Sequence, residues 1–282
     1  RAHDAKHWSR RVSTRVSLPA AWRRMAQIAR FDLRQHVRSP LFAALVAVLL
    51  LGTLTLNPAA MIASGDSSIA GIRPFVNSSY AMAQIFALAG VLFYCFLACL
   101  IAGLTVLRDD ETRIAEILSA TPMTPTEYVF GKYFGVAAAL GLALGFHVLF
   151  AMLFFETAPI GELAALRGPF RPANYVVPAL LFAGPAMLLA AGLAVATAVR
   201  TRSAMAVYAL PTFLVLGTLL FLVAWNPGGS SPALDHALVL LDPSGLRWLR
   251  RTVFGIDRGI DFYNHAPLFV DAALLANRLS TL

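Results

Sequence analysis

Five apolar runs occupy most of the chain between Leu41 and Trp225, and each is long enough to cross a hydrocarbon core about 30 Å thick. They lie at about 41–62, 80–107, 131–155, 175–199 and 204–225. Inside lipid every backbone N–H and C=O must find its partner within the protein, which leaves only helices and closed barrels. Barrel strands alternate in polarity, whereas these runs are continuous, so helices are the reading. Composition agrees, at 58% hydrophobic and 13% charged, against about 45–50% and about 25% in soluble domains. The expected fold is all-α, a polytopic membrane helical bundle.

A net charge of +8 raises the question of nucleic acid, but ten of the 23 Lys and Arg precede Pro40. No comparable basic helix, and no interleaving of basic and aromatic residues, recurs later in the chain. A cytoplasmic flank beside anionic lipid therefore explains the charge better than a nucleic-acid partner. From Leu18 to Val37 the residues Trp22, Met25, Ile28, Ala29 and Leu33 recur at three- and four-residue steps, while Arg23, Arg24, Arg30, Arg34 and Arg38 take the other faces. The spacing predicts an amphipathic helix on the membrane surface, with Trp22 and these arginines as interface residues. An ordinary positive-inside flank with no special role is the plainer alternative. The chain then divides into a cytoplasmic part (1–39), a transmembrane part (40–225) and an extracytoplasmic segment (226–282), the last expected as short helices on the outer surface.

Between the second and third runs lies a charged island, Arg108 to Gly135. Asp109, Asp110 and Glu111 suit the start of a new helix, where negative side chains oppose the positive end of the macrodipole. Ile114, Ile117 and Leu118 then share one face, with Arg113 and Glu116 on the same turns. Pro122 cannot continue that helix and disfavours helical geometry at Thr121, so the chain turns there. Thr124, Pro125 and Glu127 predict a restart, with a capping box and proline at the first helical position. The result is two helices with a sharp joint.

Few polar groups interrupt the spans. Gln84 and Tyr94 suit hydrogen bonds inside a bundle, and His147 is either a proton or substrate contact or a neutral histidine bonded across helices. Cys95 and Cys99, four apart, are either small packing residues or a metal or redox pair. Gly135, Gly141 and Gly145 predict close helix approach, and Pro211 a kink. Arg200-Thr201-Arg202 reads as a tight cytoplasmic turn. The sequence contains neither a GxxxxGK[ST] phosphate loop nor a His-Glu-x-x-His zinc motif. It starts without Met and ends just after Asn277-Arg278-Leu279 without a final apolar run, so a longer polypeptide, with a sixth span beyond Leu282, is expected.

The layout, and Glu116-Ile117-Leu118-Ser119-Ala120-Thr121-Pro122 followed by Tyr128, Gly131 and Lys132, resembles the permease subunits of ABC-2 type transporters. Where many members carry Gly-Thr before the acid, this chain has Arg113-Ile114. Asp242-Pro243-Ser244-Gly245-Leu246 and Asn277-Arg278-Leu279 are similar to a subgroup fused to a zinc aminopeptidase domain. The resemblance implies a bacterial inner-membrane exporter component with a cytoplasmic N-terminus and no ATP site of its own. ATP and Mg would be bound by a separate ATPase subunit, and the other half would be a second permease half or a homodimer partner. ATPase coupling would fall to Asp110, Glu111, Arg113, Ile114, Glu116, Ile117, Leu118, Thr121, Pro122, Glu127 and Lys132. An ion-gradient-driven secondary transporter and a membrane anchor for a fused peptidase are the alternatives; no carboxylate lies deep in any run, which counts against the first.

Overall fold

The structure, a computed structural model, describes residues 18–55, 75–111, 123–157, 166–224, 232–254 and 258–281. Helices make up nearly all of it, and no strand occurs among the described residues. Helix α1 spans Leu18–Val37 and α2 spans Pro40–Thr55. α3 (Ser79–Ala89) and α4 (Cys95–Glu111) form one rod joined by a π-helical turn at Gly90–Tyr94. α5 covers Pro125–Thr157. α6 (Ala173–Pro178) passes through a second π turn, Ala179–Ala183, into α7 (Gly184–Thr201). α8 (Ala204–Leu216) ends in a third, Gly217–Ala224. Four short helices follow: α9 (Pro232–Leu241), α10 (Leu246–Trp248, extended by a π turn to Phe254), α11 (Ile260–His265) and α12 (Ala272–Thr281).

The rods Ser79–Asp109, Pro125–Thr157 and Ala173–Thr201 are each long and apolar enough to cross a membrane. α1 and α2 pass that test only as a pair, and they meet at a 71° bend. With α2 directed through the bilayer, α1 is turned toward the membrane plane. The Ala204–Leu220 stretch is apolar but shorter. Alanine and glycine let α4, α5, α7 and α8 pack around Ala98, Ala102, Ala139, Ala143, Ala190 and Ala194, all buried. The outward faces carry large apolar side chains, such as Leu149, Leu153 and Phe213, that suit lipid or a partner helix.

Proline accounts for some of the irregularity. Pro178 and Pro211 both lie inside helices, and a π-helical turn follows each, directly after Pro178 and from Gly217 after Pro211. The Arg200–Arg202 turn is tight, as its sequence predicts. Arg202 adopts the left-handed conformation at φ 49°, and the Ser203 hydroxyl caps α8 by accepting from the Ala206 N–H at 3.4 Å.

Two sequence expectations are corrected by the packing. Gly135 does permit a close approach, but of α1: a Cβ there would lie 2.8 Å from that of Asp32, while at Gly141 and Gly145 it would meet nothing within 4 Å. Nor does all of the segment after α8 lie on the surface. Its Pro243-Ser244 tip lines a small cavity with Val91, Cys95, Ala186 and Ala190, and Val91 is roughly 18 Å along the α3–α4 rod from Ser79 at 1.5 Å per residue.

Insertion of that tip is possible because its backbone is fully provided for. Asp242 accepts from the N–H groups of Ser244 (2.9 Å) and Arg247 (2.8 Å), while the Asn277 amide donates to the carbonyls of Val239, Leu240 and Asp242. Arg278, buried against the Phe182 ring, donates to the carbonyls of Leu181, Pro243 and Asp242. Gly245 holds φ at 74°, and a Cβ there would stand 2.9 Å from Arg278 and Phe182. Non-helical backbone at this depth is tolerated only when protein satisfies it in this way.

Candidate functional site

The charged island begins differently from its sequence reading. α4 continues without a break through Asp109, Asp110 and Glu111, so these acids belong to the helix that comes in from the apolar run and do not open a new one. No glycine or proline separates them from the apolar run, and nothing local stops the helix. Asp109 is held by two partners. Lys132 Nζ lies 2.7 Å from its Oδ2, and the Tyr128 hydroxyl donates to the same oxygen at 2.9 Å.

Residues 112–122 separate that helix end from α5, and Arg113, Ile114, Glu116, Ile117, Leu118, Thr121 and Pro122 all lie outside the described residues. On the far side the capping box is formed. The Thr124 N–H donates to Glu127 Oε2 at 3.0 Å, and the Glu127 N–H donates to Thr124 Oγ1 at 3.3 Å. Glu127 also takes Arg24 in a bidentate pair, at 3.0 and 2.6 Å, and this hydrogen bonding holds the Arg24 guanidinium above its usual range. One helix turn further on, Lys132 bridges Asp109 and Asp32, whose Oδ1 is 3.0 Å away.

Both ends of the 112–122 segment are thus tied to the same helix, α1. Glu127 and Lys132 hold α5 to it, and Lys132 draws in α4 through Asp109. His36 adds a second link from α1 to α4, its Nε2 2.7 Å from Thr105 Oγ1, and Gln35 offers its amide oxygen to the Arg108 guanidinium. Gly131 and Gly135 let α1 lie close enough for these pairs, because a Cβ at either would run into Ile28 or Asp32. Burial pushes the Asp32 carboxyl up to about 6 against the opposing pull of Lys132, and pulls His36 down to about 4.

The geometry describes a three-helix clamp at one end of the bundle, built on a lysine between two carboxylates. The protein-family model for ABC-2 family transporter proteins matches residues 26–241. The chain belongs to the ABC-2 transporter family. No curated protein matches it. As a member of that family it is a permease component of an ABC transporter, and the matched region takes in Asp32, Asp109, Glu127 and Lys132, the helices from α2 to α8, and α9.

For this ABC-2 permease the sequence-derived site residues divide by position. Glu127 and Lys132 enter the clamp. Asp110 and Glu111 lie in the last turn of α4. Arg24 turns from lipid toward Glu127, while Trp22 stacks on Phe134 with ring centroids 6.1 Å apart. Arg23, Arg30, Arg34 and Arg38 are exposed. Asp32, Asp109, His36 and Thr105 were not among the expected site residues. Asp32 did leave a signal: it is the only acid between Asp4 and Asp66, and it falls on the same stripe as Met25, Ile28 and Ala29.

The intramembrane polar residues form a separate group. His147 is fully buried, with Thr53 Oγ1 2.8 Å from Nε2 and the Tyr94 hydroxyl 3.1 Å from Nδ1. Both ring nitrogens are therefore engaged, and the histidine joins α2, the Gly90–Tyr94 turn and α5. Gln84 keeps a buried side-chain oxygen without a hydrogen-bond partner. Cys95 and Cys99 are free and buried.

Proposed function

We propose that this permease belongs to an exporter of a bacterial inner membrane, with its N-terminus cytoplasmic, and that a separate ATPase subunit drives it through residues 108–130. The observation that supports this most directly is the clamp. A segment that receives force must be fixed at both ends to elements that carry it onward, and both ends of 112–122 converge on α1 through Lys132 and Glu127. Ile114, Ile117 and Leu118 are the proposed apolar contacts with the ATPase, and Asp110, Arg113 and Glu116 the ionic rim. ATP and Mg belong to that partner, and a second permease half or a second copy of this chain completes the pathway.

In this reading displacement of 112–122 moves the end of α4 against the start of α5, and α1 acts as the fulcrum. Ion pairs suit such a joint, because charged partners re-form after a small slide whereas interdigitated apolar packing resists it. The experiment is affinity isolation of the full chain from its native membrane, with ATP hydrolysis measured in the eluate. Glu116→Arg combined with Leu118→Asp should abolish the co-isolated hydrolysis while the permease itself is recovered in equal amount. Unchanged hydrolysis in that variant sinks the coupling assignment. Transport that persists with hydrolysis blocked, and collapses with the ion gradient, would instead establish a secondary carrier.

A further inference from the structure

At the 71° bend where α1 gives way to α2, the surface opens into a cavity of about 600 Å³. Its walls include Arg34 from α1, Arg38 from the turn that follows it, Arg108 from α4, and Gln35, Phe31 and Pro40. Three arginines line one space, and among the described residues no acid lines it. Of the described acids on these helices, Asp32 and Asp109 turn toward Lys132. Gln35 fixes Arg108 by accepting from its guanidinium, so part of the cationic wall is already positioned.

We infer that this cavity is a binding site for the phosphate of an anionic phospholipid, whose acyl chains run along α2. Guanidinium forks match phosphate oxygens in pairs, and three of them around one space favour a ligand with net negative charge. The bend sets the cavity at the level where the chain turns from the membrane surface into the hydrocarbon, which is headgroup depth. Basic pockets between membrane helices hold lipid headgroups by this chemistry. The apolar half of the site is also present. Phe31 is 65% exposed beside the cavity, and Leu41, Val48 and Leu51 are exposed along α2, a strip about 15 Å long at 1.5 Å per residue. A soluble phosphate would use the arginines and leave that strip bare.

Arg108 comes from the helix that leads into 112–122, Arg34 from the helix that clamps it and Arg38 from the turn after that helix. A bound lipid would therefore tie α4 to α1. The site itself does not depend on the ATPase reading and is tested without it.

The test titrates the detergent-purified full chain with dihexanoyl-phosphatidylglycerol, dihexanoyl-phosphatidylcholine and inorganic phosphate, with bound ligand counted by native mass spectrometry. We expect one phosphatidylglycerol to bind, more tightly than phosphatidylcholine and far more tightly than phosphate. Each arginine removed should weaken it about fivefold, so R34A/R38A/R108A should weaken it by on the order of a hundredfold. R200A/R202A, which removes a basic turn elsewhere, should leave it unchanged. R34K/R38K/R108K keeps the charge and should recover part of the affinity, which guards against a variant that merely fails to fold. Equal binding by wild type and the alanine variant overturns the site. Phosphate binding as tight as that of phosphatidylglycerol overturns the lipid reading, and equal weakening by R200A/R202A reduces the effect to general surface charge.

Discussion

Two buried polar clusters hold this molecule together, and they are built on opposite plans. At the clamp, charged side chains meet charged side chains: Lys132 with Asp32 and Asp109, and Arg24 with Glu127. At the inserted tip, side chains serve the backbone: Asp242 takes two N–H groups, and Asn277 and Arg278 cover the carbonyls of Val239, Leu240, Asp242, Pro243 and Leu181. Ion pairs join whole helices and tolerate relative movement. Backbone caps fix one loop conformation and lose their value if it changes. The clamp is thus suited to a joint and the tip to a fixed plug, although both are polar and both lie within an apolar protein.

The largest expected effect comes from removing the cation at the centre of the joint. Lys132→Met leaves Asp32 and Asp109 buried near each other without a counter-charge, which should cost about 3 to 5 kcal/mol of stability. Adding Asp32→Asn and Asp109→Asn should recover most of it, since a neutral cluster has no unpaired charge to bury. Denaturation midpoints in a fixed detergent measure both. A Lys132→Met protein as stable as wild type would show that the three groups do not form one unit.

Next comes the plug. Asp242→Ala orphans the Ser244 and Arg247 N–H groups and should cost about 3 kcal/mol. Its signature separates it from the clamp: whatever fraction folds should still support the ATP hydrolysis that co-isolates with wild type, per mole of permease. If Asp242→Ala instead folds normally and loses coupling, the contrast between joint and plug collapses. The glycines supply a smaller version of the same test. Gly135→Ala pushes a Cβ against Asp32 and the Ala29 carbonyl and should cost about 1 to 3 kcal/mol. Gly141→Ala and Gly145→Ala meet nothing and should be neutral or gain up to about 1 kcal/mol of helix propensity.

How far these clusters could be read from sequence follows from how local they are. The all-α bundle was legible because hydrophobic runs of membrane length leave few options, and the Thr124–Glu127 capping box because it spans four residues. The clamp was not, because Lys132 and Asp32 are one hundred positions apart and nothing in either helix names its partner. Gly135, Gly141 and Gly145 look equivalent in sequence, and only the course of α1 across α5 distinguishes them. The acids at 109–111 suit a helix start by charge, yet α4 reaches them first, since a helix ends where something stops it. The plug was missed for a related reason. Nothing in the sequence around Asp242, Asn277 or Arg278 names the backbone groups they serve, which lie up to 97 positions away.

The smallest effect should come from Asp32, which tests how charge is shared within the joint. Lys132 carries one positive charge against two carboxylates. Asp109 is the better placed of the two, with the shorter bond to Lys132 and a second one from Tyr128, while Asp32 is more deeply buried and its Oδ2 has no hydrogen-bond partner. Burial accordingly pushes Asp32 up to about 6, with Lys132 pulling it down and Asp109 adding to the rise. His36 and Arg108, the other titratable and charged groups on this side, are engaged with Thr105 and Gln35. A carboxyl raised in the fold favours the fold when protonated. That contribution is present below about 3.8 and is lost as pH rises through about 6. Asp32→Asn should therefore change stability little at neutral pH, and far less than Asp109→Asn. The wild type should gain on Asp32→Asn as pH falls from 7 toward 4, read as the difference between their melting temperatures in one detergent. An Asp32→Asn loss equal to that of Asp109→Asn, or a difference that shrinks on acidification, would make Asp32 the principal counter-ion and move the centre of the joint from α4 to α1.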